Sequence, residues 1–262
     1  MLGKLLKYEY KATYKLYIIL YIIVLALAVI NRILNAIDFS KNVVLGVLSG
    51  TFMVTIVLSC IGLYFATLIF ILFRFYKNLF TDEGYLMFTL PISPMSLIIS
   101  KIIVGMTWIL SSVLIIITAV AIMLYNTPTM DTLEVVWDFF GKGLMDFLFN
   151  GQILQLIIYI INYVIGIFST VCFIYLAVAF GQVIMPRHKI AGSILAYFII
   201  SMISSIISSI ISVGYYMITK YDLASDNLPS SFYGLSSLIN LGFAVVCIYL
   251  INNICKKHLN LS

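Results

Sequence analysis

Between Ile102 and Met130, between Phe147 and Pro186, and between Ile190 and Thr219 the chain carries no Asp, Glu, Lys or Arg, and three further stretches share this property. A water-soluble fold has to dress its surface in polar groups. This sequence is 63% hydrophobic and 10% charged, against roughly 25% charged residues in an average soluble domain. It is too apolar to fold in water and belongs in a bilayer. A chain with no ionisable side chain at mid-bilayer depth also has no proton relay of its own. Any work it does draws on energy supplied elsewhere.

About 20 apolar residues cross ~30 Å of hydrocarbon. Six stretches qualify: Leu16 to Ile33, Val43 to Phe73, Ile102 to Tyr125, Gln152 to Gln182, Ile190 to Ile218 and Leu235 to Ile254. The expected fold is therefore an all-α membrane protein with six transmembrane helices. All five prolines (Pro91, Pro94, Pro128, Pro186, Pro229) fall between these stretches, where a missing backbone donor does least harm. With no evident internal repeat and no long polar linker, residues 1–262 read as a single transmembrane domain. It has a flanking segment over 1–15, a loop over 74–100 and an outer loop over 126–151. The Val43–Phe73 stretch would be a helix of about 46 Å, which must either tilt or project beyond the hydrocarbon.

The positive-inside rule orients the chain. With both termini cytoplasmic, the inner side holds Lys4, Lys7, Lys11, Lys15, Arg74, Lys77, Lys101, Arg187, Lys189, Lys256 and Lys257, and the outer side only Arg32, Lys41, Lys142 and Lys220. The net charge of +5 then reflects topology and anionic lipid headgroups, not nucleic acid. Ala26-Leu27-Ala28 resembles a small-x-small cleavage site behind a basic start, but this segment is expected to stay as the first span. Cys60, Cys172 and Cys247 lie within spans and Cys255 at an inner edge, with no CxxC pair. They are expected to be buried thiols, neither bridged nor metal-bound.

Lys4, Lys7, Lys11 and Lys15 recur at helical spacing and share one narrow stripe, with Leu2, Leu5, Leu6 and Leu16 opposite. The pattern suits an N-terminal interfacial amphipathic helix, its lysines reaching the headgroups and its leucines the acyl boundary; it equally suits a basic flank that only sets topology. Glu9 projects from the leucine face, either to pair with a base such as Arg74 or Lys77 or to reach water.

The second informative segment follows the second span: Thr81-Asp82-Glu83-Gly84-Tyr85-Leu86-Met87-Phe88-Thr89-Leu90-Pro91-Ile92-Ser93. Thr81 or Asp82 can cap a short helix with acidic charge in its first turn, which Pro91 ends within about two turns. Tyr85, Leu86, Met87 and Phe88 would then form a compact apolar plug outside the bilayer. Such a plug either lies among lipid headgroups or docks in a groove of a cytoplasmic protein, a role that suits aromatic anchors with a charged rim.

These residues carry a family resemblance. The opening Lys7-Tyr8-Glu9-Tyr10-Lys11-Ala12-Thr13, followed by a span, and the Thr81 to Ser93 run after the second span resemble the permease subunits of type-2 ATP-binding-cassette exporters. More narrowly, they are similar to the stand-alone six-span permeases of Gram-positive bacteria, several of which export antimicrobial or cytolytic peptides or give immunity to them. The resemblance implies a bacterial cytoplasmic membrane location. It also implies two permease subunits, as a homo- or heterodimer, facing each other around a central path. Each would rest a cytoplasmic coupling helix on a separate nucleotide-binding ATPase. Asp82, Glu83, Gly84, Tyr85, Leu86, Met87 and Phe88 would be the ATPase-coupling residues, with Tyr85, Leu86 and Phe88 as contact knobs. No GxxxxGK[ST] loop occurs in the sequence, so ATP and Mg would be held by the partner ATPase and no cofactor by this chain.

In Ser201-Met202-Ile203-Ser204-Ser205-Ile206-Ile207-Ser208-Ser209-Ile210-Ile211-Ser212 the serines gather on one side of the fifth span. Ser201, Ser205, Ser208 and Ser212 either pack against a neighbouring helix or form a polar wall of a translocation path. Gly46 and Gly50 make a GxxxG at the start of span two, where close packing would be unsurprising. The outer loop interleaves Asp131, Glu134, Asp138 and Asp146 with Trp137, Phe139, Phe140, Phe147 and Phe149, a pattern of short amphipathic helices at the outer interface.

An enzymatic role is not expected. Intramembrane hydrolases need convergent His, Asp or Glu. The only histidines here are His188 and His258, neither with a carboxylate near it in sequence, and metal chemistry fails for the same reason. A stand-alone secondary carrier, binding sodium through backbone carbonyls of broken helices, and a non-transport membrane subunit stay as alternatives; no span has the proline interruption that marks the first, and the segment after span two disfavours the second. The expected function is export of hydrophobic or amphipathic peptides, with lipid or a hydrophobic drug as the rival cargo.

Overall fold

The structure, a computed structural model, describes residues 2–36, 43–80, 84, 93–124, 153–185, 188–219 and 230–257. They form six helices: α1 (Leu2–Ala36), α2 (Val43–Phe80), α3 (Pro94–Leu124), α4 (Ile153–Ile184), α5 (Lys189–Thr219) and α6 (Ser230–Lys257). No strand occurs among the described residues. Each helix holds a stretch long and apolar enough to cross a membrane; the chain is an all-α, multi-pass membrane protein. The outer loop over 126–151 lies outside the described residues.

The helices outrun the apolar stretches that announce them. Hydropathy marks only hydrocarbon depth, whereas the helical ladder continues until a cap or breaker stops it. In α1 the lysine-bearing turns and the first span form one helix of 35 residues, about 52 Å long, because neither Pro nor Gly interrupts the run from Lys4 to Ala36. In α2 the helix carries Arg74 and Lys77 onward to Phe80, so it projects past its charge-free part. Pro94, expected between helices, is the first residue of α3. Ser93 caps that helix: the Ser96 amide donates to the Ser93 carbonyl at 3.0 Å and to its hydroxyl at 3.4 Å. A serine cap followed by proline at the first helical position needs no donor from the proline.

The chain clusters into two compact units. One comprises residues 7–71 and 107–151, the other residues 1–6, 72–106 and 152–262. The first is built on α1, α2 and α3 around Val24, Ala28, Ile56, Cys60, Leu63, Ala119 and Met123. Beside this apolar core runs a ladder of hydroxyls. Tyr10 shares a 2.6 Å bond with Thr107, and the Trp108 indole donates to the Thr13 hydroxyl at 3.0 Å. The Tyr21 hydroxyl bonds with Ser111 at 2.7 Å and Ser112 at 3.1 Å, and Ser112 bonds with Thr67 of α2 at 2.8 Å. The Tyr17 ring stacks on Trp108 with centroids 4.2 Å apart. Partners on α1 and α3 advance together along both chains, so these helices run parallel, as first and third spans must.

In the second unit α4 is central. Asn162 donates to the Tyr233 carbonyl at 2.9 Å and Ser169 to the Asn240 carbonyl at 2.6 Å; the constant offset makes α4 and α6 parallel. A short turn joins α4 to α5 as an antiparallel pair, held by the His188 amide on the Met185 carbonyl at 3.2 Å and the Gly192 amide on the His188 carbonyl at 2.9 Å. The helices meet closely there. A Cβ on Gly181 would run into the Ser193 amide nitrogen, so the crossing tolerates no side chain at that position.

Candidate functional site

The segment singled out in the sequence hangs between the end of α2 and the start of α3, and both of these flanks are anchored. Phe75, on the last turns of α2, is 1% exposed and stacks face to face on Tyr175 of α4, with ring centroids 3.9 Å apart and planes 6° from parallel. The Tyr175 hydroxyl donates at 3.0 Å to the backbone carbonyl of Lys101 on α3. One α4 side chain thus touches both helices that carry the segment. Leu79, Leu97, Ile98 and Ile102 are fully or almost fully buried in the same unit, and so are the polar Asn78, Ser100 and Lys101. Lys101, read in the sequence as one more inner-side charge, is only 4% exposed, and it is not left without an interaction. The two flanks form a packed base, with aromatic stacking adding to simple burial.

Of the proposed coupling residues the structure describes Gly84 alone; Asp82, Glu83, Tyr85, Leu86, Met87 and Phe88 lie outside the described residues. Gly84 is buried and helical. A Cβ there would stand 2.6 Å from the Leu79 carbonyl oxygen and 2.8 Å from its carbon. Backbone cannot yield as a flexible side chain can, so the approach of residue 84 to the end of α2 requires glycine.

Lys4, Lys7, Lys11 and Lys15 are all exposed along α1, with Leu5 and Leu6 half-buried and Leu2 and Leu16 at the edge of exposure. Glu9 does not face water: it is 8% exposed and takes part in an interaction. The serine face divides. The Ser201 hydroxyl turns back to the Phe198 carbonyl at 2.9 Å, and Ser205 is exposed. Ser208 and Ser212 line a cavity of about 50 Å³ with Ser236 and Asn240 of α6. That volume suits one or a few water molecules rather than a peptide. A Cβ on Gly50, the second glycine of the GxxxG at the start of α2, would meet open space.

Sequence reasoning missed the Phe75–Tyr175–Lys101 tie, because contacts between residues 74 or more apart leave no periodic trace. It also missed the hydroxyl ladder, for which there was a signal: Tyr10, Thr13, Tyr17 and Tyr21 recur at spacings of three, four and four, the rhythm of a single helix face. All four cysteines are buried and free. Among the described residues no three His, Cys, Asp or Glu gather as metal ligands. In comparisons with family models, curated proteins and solved structures nothing matches this chain, so its functional reading stands on its own residues.

Proposed function

We propose that this chain is the permease subunit of a type-2 ATP-binding-cassette exporter, moving hydrophobic or amphipathic peptides outward across a bacterial cytoplasmic membrane. Both termini would face the cytoplasm. The observation that supports the reading is the base under segment 81–93: two helix ends packed into a buried interior and, at Gly84, a glycine without room for a side chain, flanking a sequence whose Asp82, Glu83 and aromatics suit a capped apolar plug. A loop that receives force needs such a base; a loop that merely connects two spans does not. The charge-free spans and the missing phosphate-binding loop favour an energy source in trans. The ATPase would bind ATP and Mg, close on them, and press on Tyr85, Leu86 and Phe88. A second permease subunit would complete the path. The fifth span leaves ample surface for it, since only Gly192, Ser193 and Ala196 of α5 are buried.

The test is purification of the tagged chain in mild detergent from its own host, with identification of co-purifying P-loop ATPases. A stoichiometric cassette ATPase is expected. In that complex, Tyr85→Ala combined with Phe88→Ala should leave the protein folded while abolishing the rise in ATP hydrolysis that the permease confers. No ATPase under conditions that keep other membrane complexes intact would overturn the proposal.

A further inference from the structure

We infer that Tyr175 is a positioning residue that fixes the two flanks of the 81–93 segment to each other and to α4, so that load on the segment moves α4 with it. The inference rests on the permease reading for its functional half and on geometry alone for its structural half. Three observations support it. Tyr175 is 3% exposed, deep in its unit. Its ring lies flat on Phe75, five residues before the end of α2. Its hydroxyl reaches the Lys101 carbonyl, eight residues into α3. Helix geometry already offers that carbonyl to the amide of Gly105, so the tyrosine adds a second bond to a satisfied acceptor. Packing alone would be served by phenylalanine. What the hydroxyl adds is a directed tie to the second flank. In an apolar setting such a tie is not exchanged for water.

A packed core moves as discrete bodies and does not bend continuously. A side chain bonded to both flanks therefore sets whether they act as one lever or two. Removing the ring should free α2 from α4, and removing the hydroxyl should free α3 alone.

Two readouts test this on the purified full-length protein. Nitroxides on cysteines introduced at Lys77 and Met95 report the distance between the flanks; the native thiols, all buried, take up no aqueous label. In Tyr175→Ala the distance distribution should broaden about two-fold or more, and in Tyr175→Phe by less; an unchanged distribution in Tyr175→Ala overturns the inference whatever the protein's function. In the complex with its ATPase, Tyr175→Ala should keep the ATPase bound in full stoichiometry, yet lower permease-dependent ATP hydrolysis by roughly five-fold or more, the scale of a typical coupling energy. Tyr175→Phe should restore part of the rate. Full hydrolysis in Tyr175→Ala would overturn the role of Tyr175 and leave the permease reading standing. A wild-type chain with no ATPase would do the reverse, with the distance measurement still deciding the tie. If Tyr175→Ala does not yield monodisperse protein, Tyr175→Phe and Phe75→Leu, which nearly keep the volume, carry the same two readouts.

Discussion

Helices α4 and α5 are almost the same object by composition: 32 and 31 residues, both without a charge in their spans and equally apolar. Yet 61% of the most apolar window of α4 is buried against 6% of that of α5. Hydropathy brings a helix into the membrane but does not decide where in the bundle it stands. Lipid tails are as apolar as isoleucine, so burying an isoleucine against another helix gains little. What distinguishes α4 is the set of groups that only a neighbouring helix can satisfy or accommodate. Asn162 and Ser169 bond to α6 carbonyls, Tyr175 bonds to α3, and Gly181 admits α5. The α5 hydroxyls of Ser201 and Ser212 bond instead within their own helix, and Tyr215 reaches a neighbour, the Ser231 hydroxyl of α6, only near the helix end.

This contrast can be broken most sharply at glycine. Gly181→Leu would drive a side chain into the backbone of Ser193, whereas a Cβ on Gly214 of α5 meets nothing within 4 Å. Gly181→Leu should cost about 3 kcal/mol or more, at or beyond the upper end of ordinary overpacking, seen as loss of monodisperse protein or a large fall in Tm. Gly214→Leu should leave Tm unchanged in the isolated subunit. Should Gly214→Leu instead destabilise the protein or change its mass in detergent, α5 is covered by a second copy. A smaller separation is expected between serines. Ser169→Ala removes a bond to the Asn240 carbonyl and should cost about 1 kcal/mol, whereas Ser205→Ala, at an exposed position, should be silent in the same thermal unfolding assay. The smallest effect concerns isoleucine: Ile210→Val on α5, where Ile210 is 66% exposed, should shift stability by less than about 0.5 kcal/mol. Ile167→Val on α4, where Ile167 is 7% exposed, should cost about 0.7 kcal/mol, mainly for the cavity left behind.

The comparison also explains what was legible in the sequence. The six spans were, because a charge-free apolar run records the one thing a bilayer demands. The start of α3 was legible in Ser93-Pro94, although hydropathy alone placed its apolar stretch from Ile102. The uneven burial of α4 and α5 was not, since equal hydropathy conceals unequal contacts. The sequence singled out the candidate segment by Asp82, Gly84 and its aromatics, and of these the structure describes only Gly84, whose tight approach to Leu79 periodicity could not announce. Its support was not, because Phe75, Lys101 and Tyr175 acquire meaning only when three distant helices meet. Lys101 illustrates the limit: counted by its charge it belongs to the membrane surface, yet it lies in a packed interior.

The hydroxyl ladder of the α1–α3 unit has a consequence in time. Tyr10 and Tyr21 on α1 find their partners on α3, 97 and 90 residues further along the chain. At roughly 5 to 20 residues per second, a ribosome needs about 5 to 20 s to make the intervening stretch. Through that interval the first span sits in the insertion machinery or the lipid with these two phenols unanswered, and their first partner to be made is Thr107. The first three spans are therefore expected to leave the translocon together, with the arrival of the third as the event that commits the first to its place.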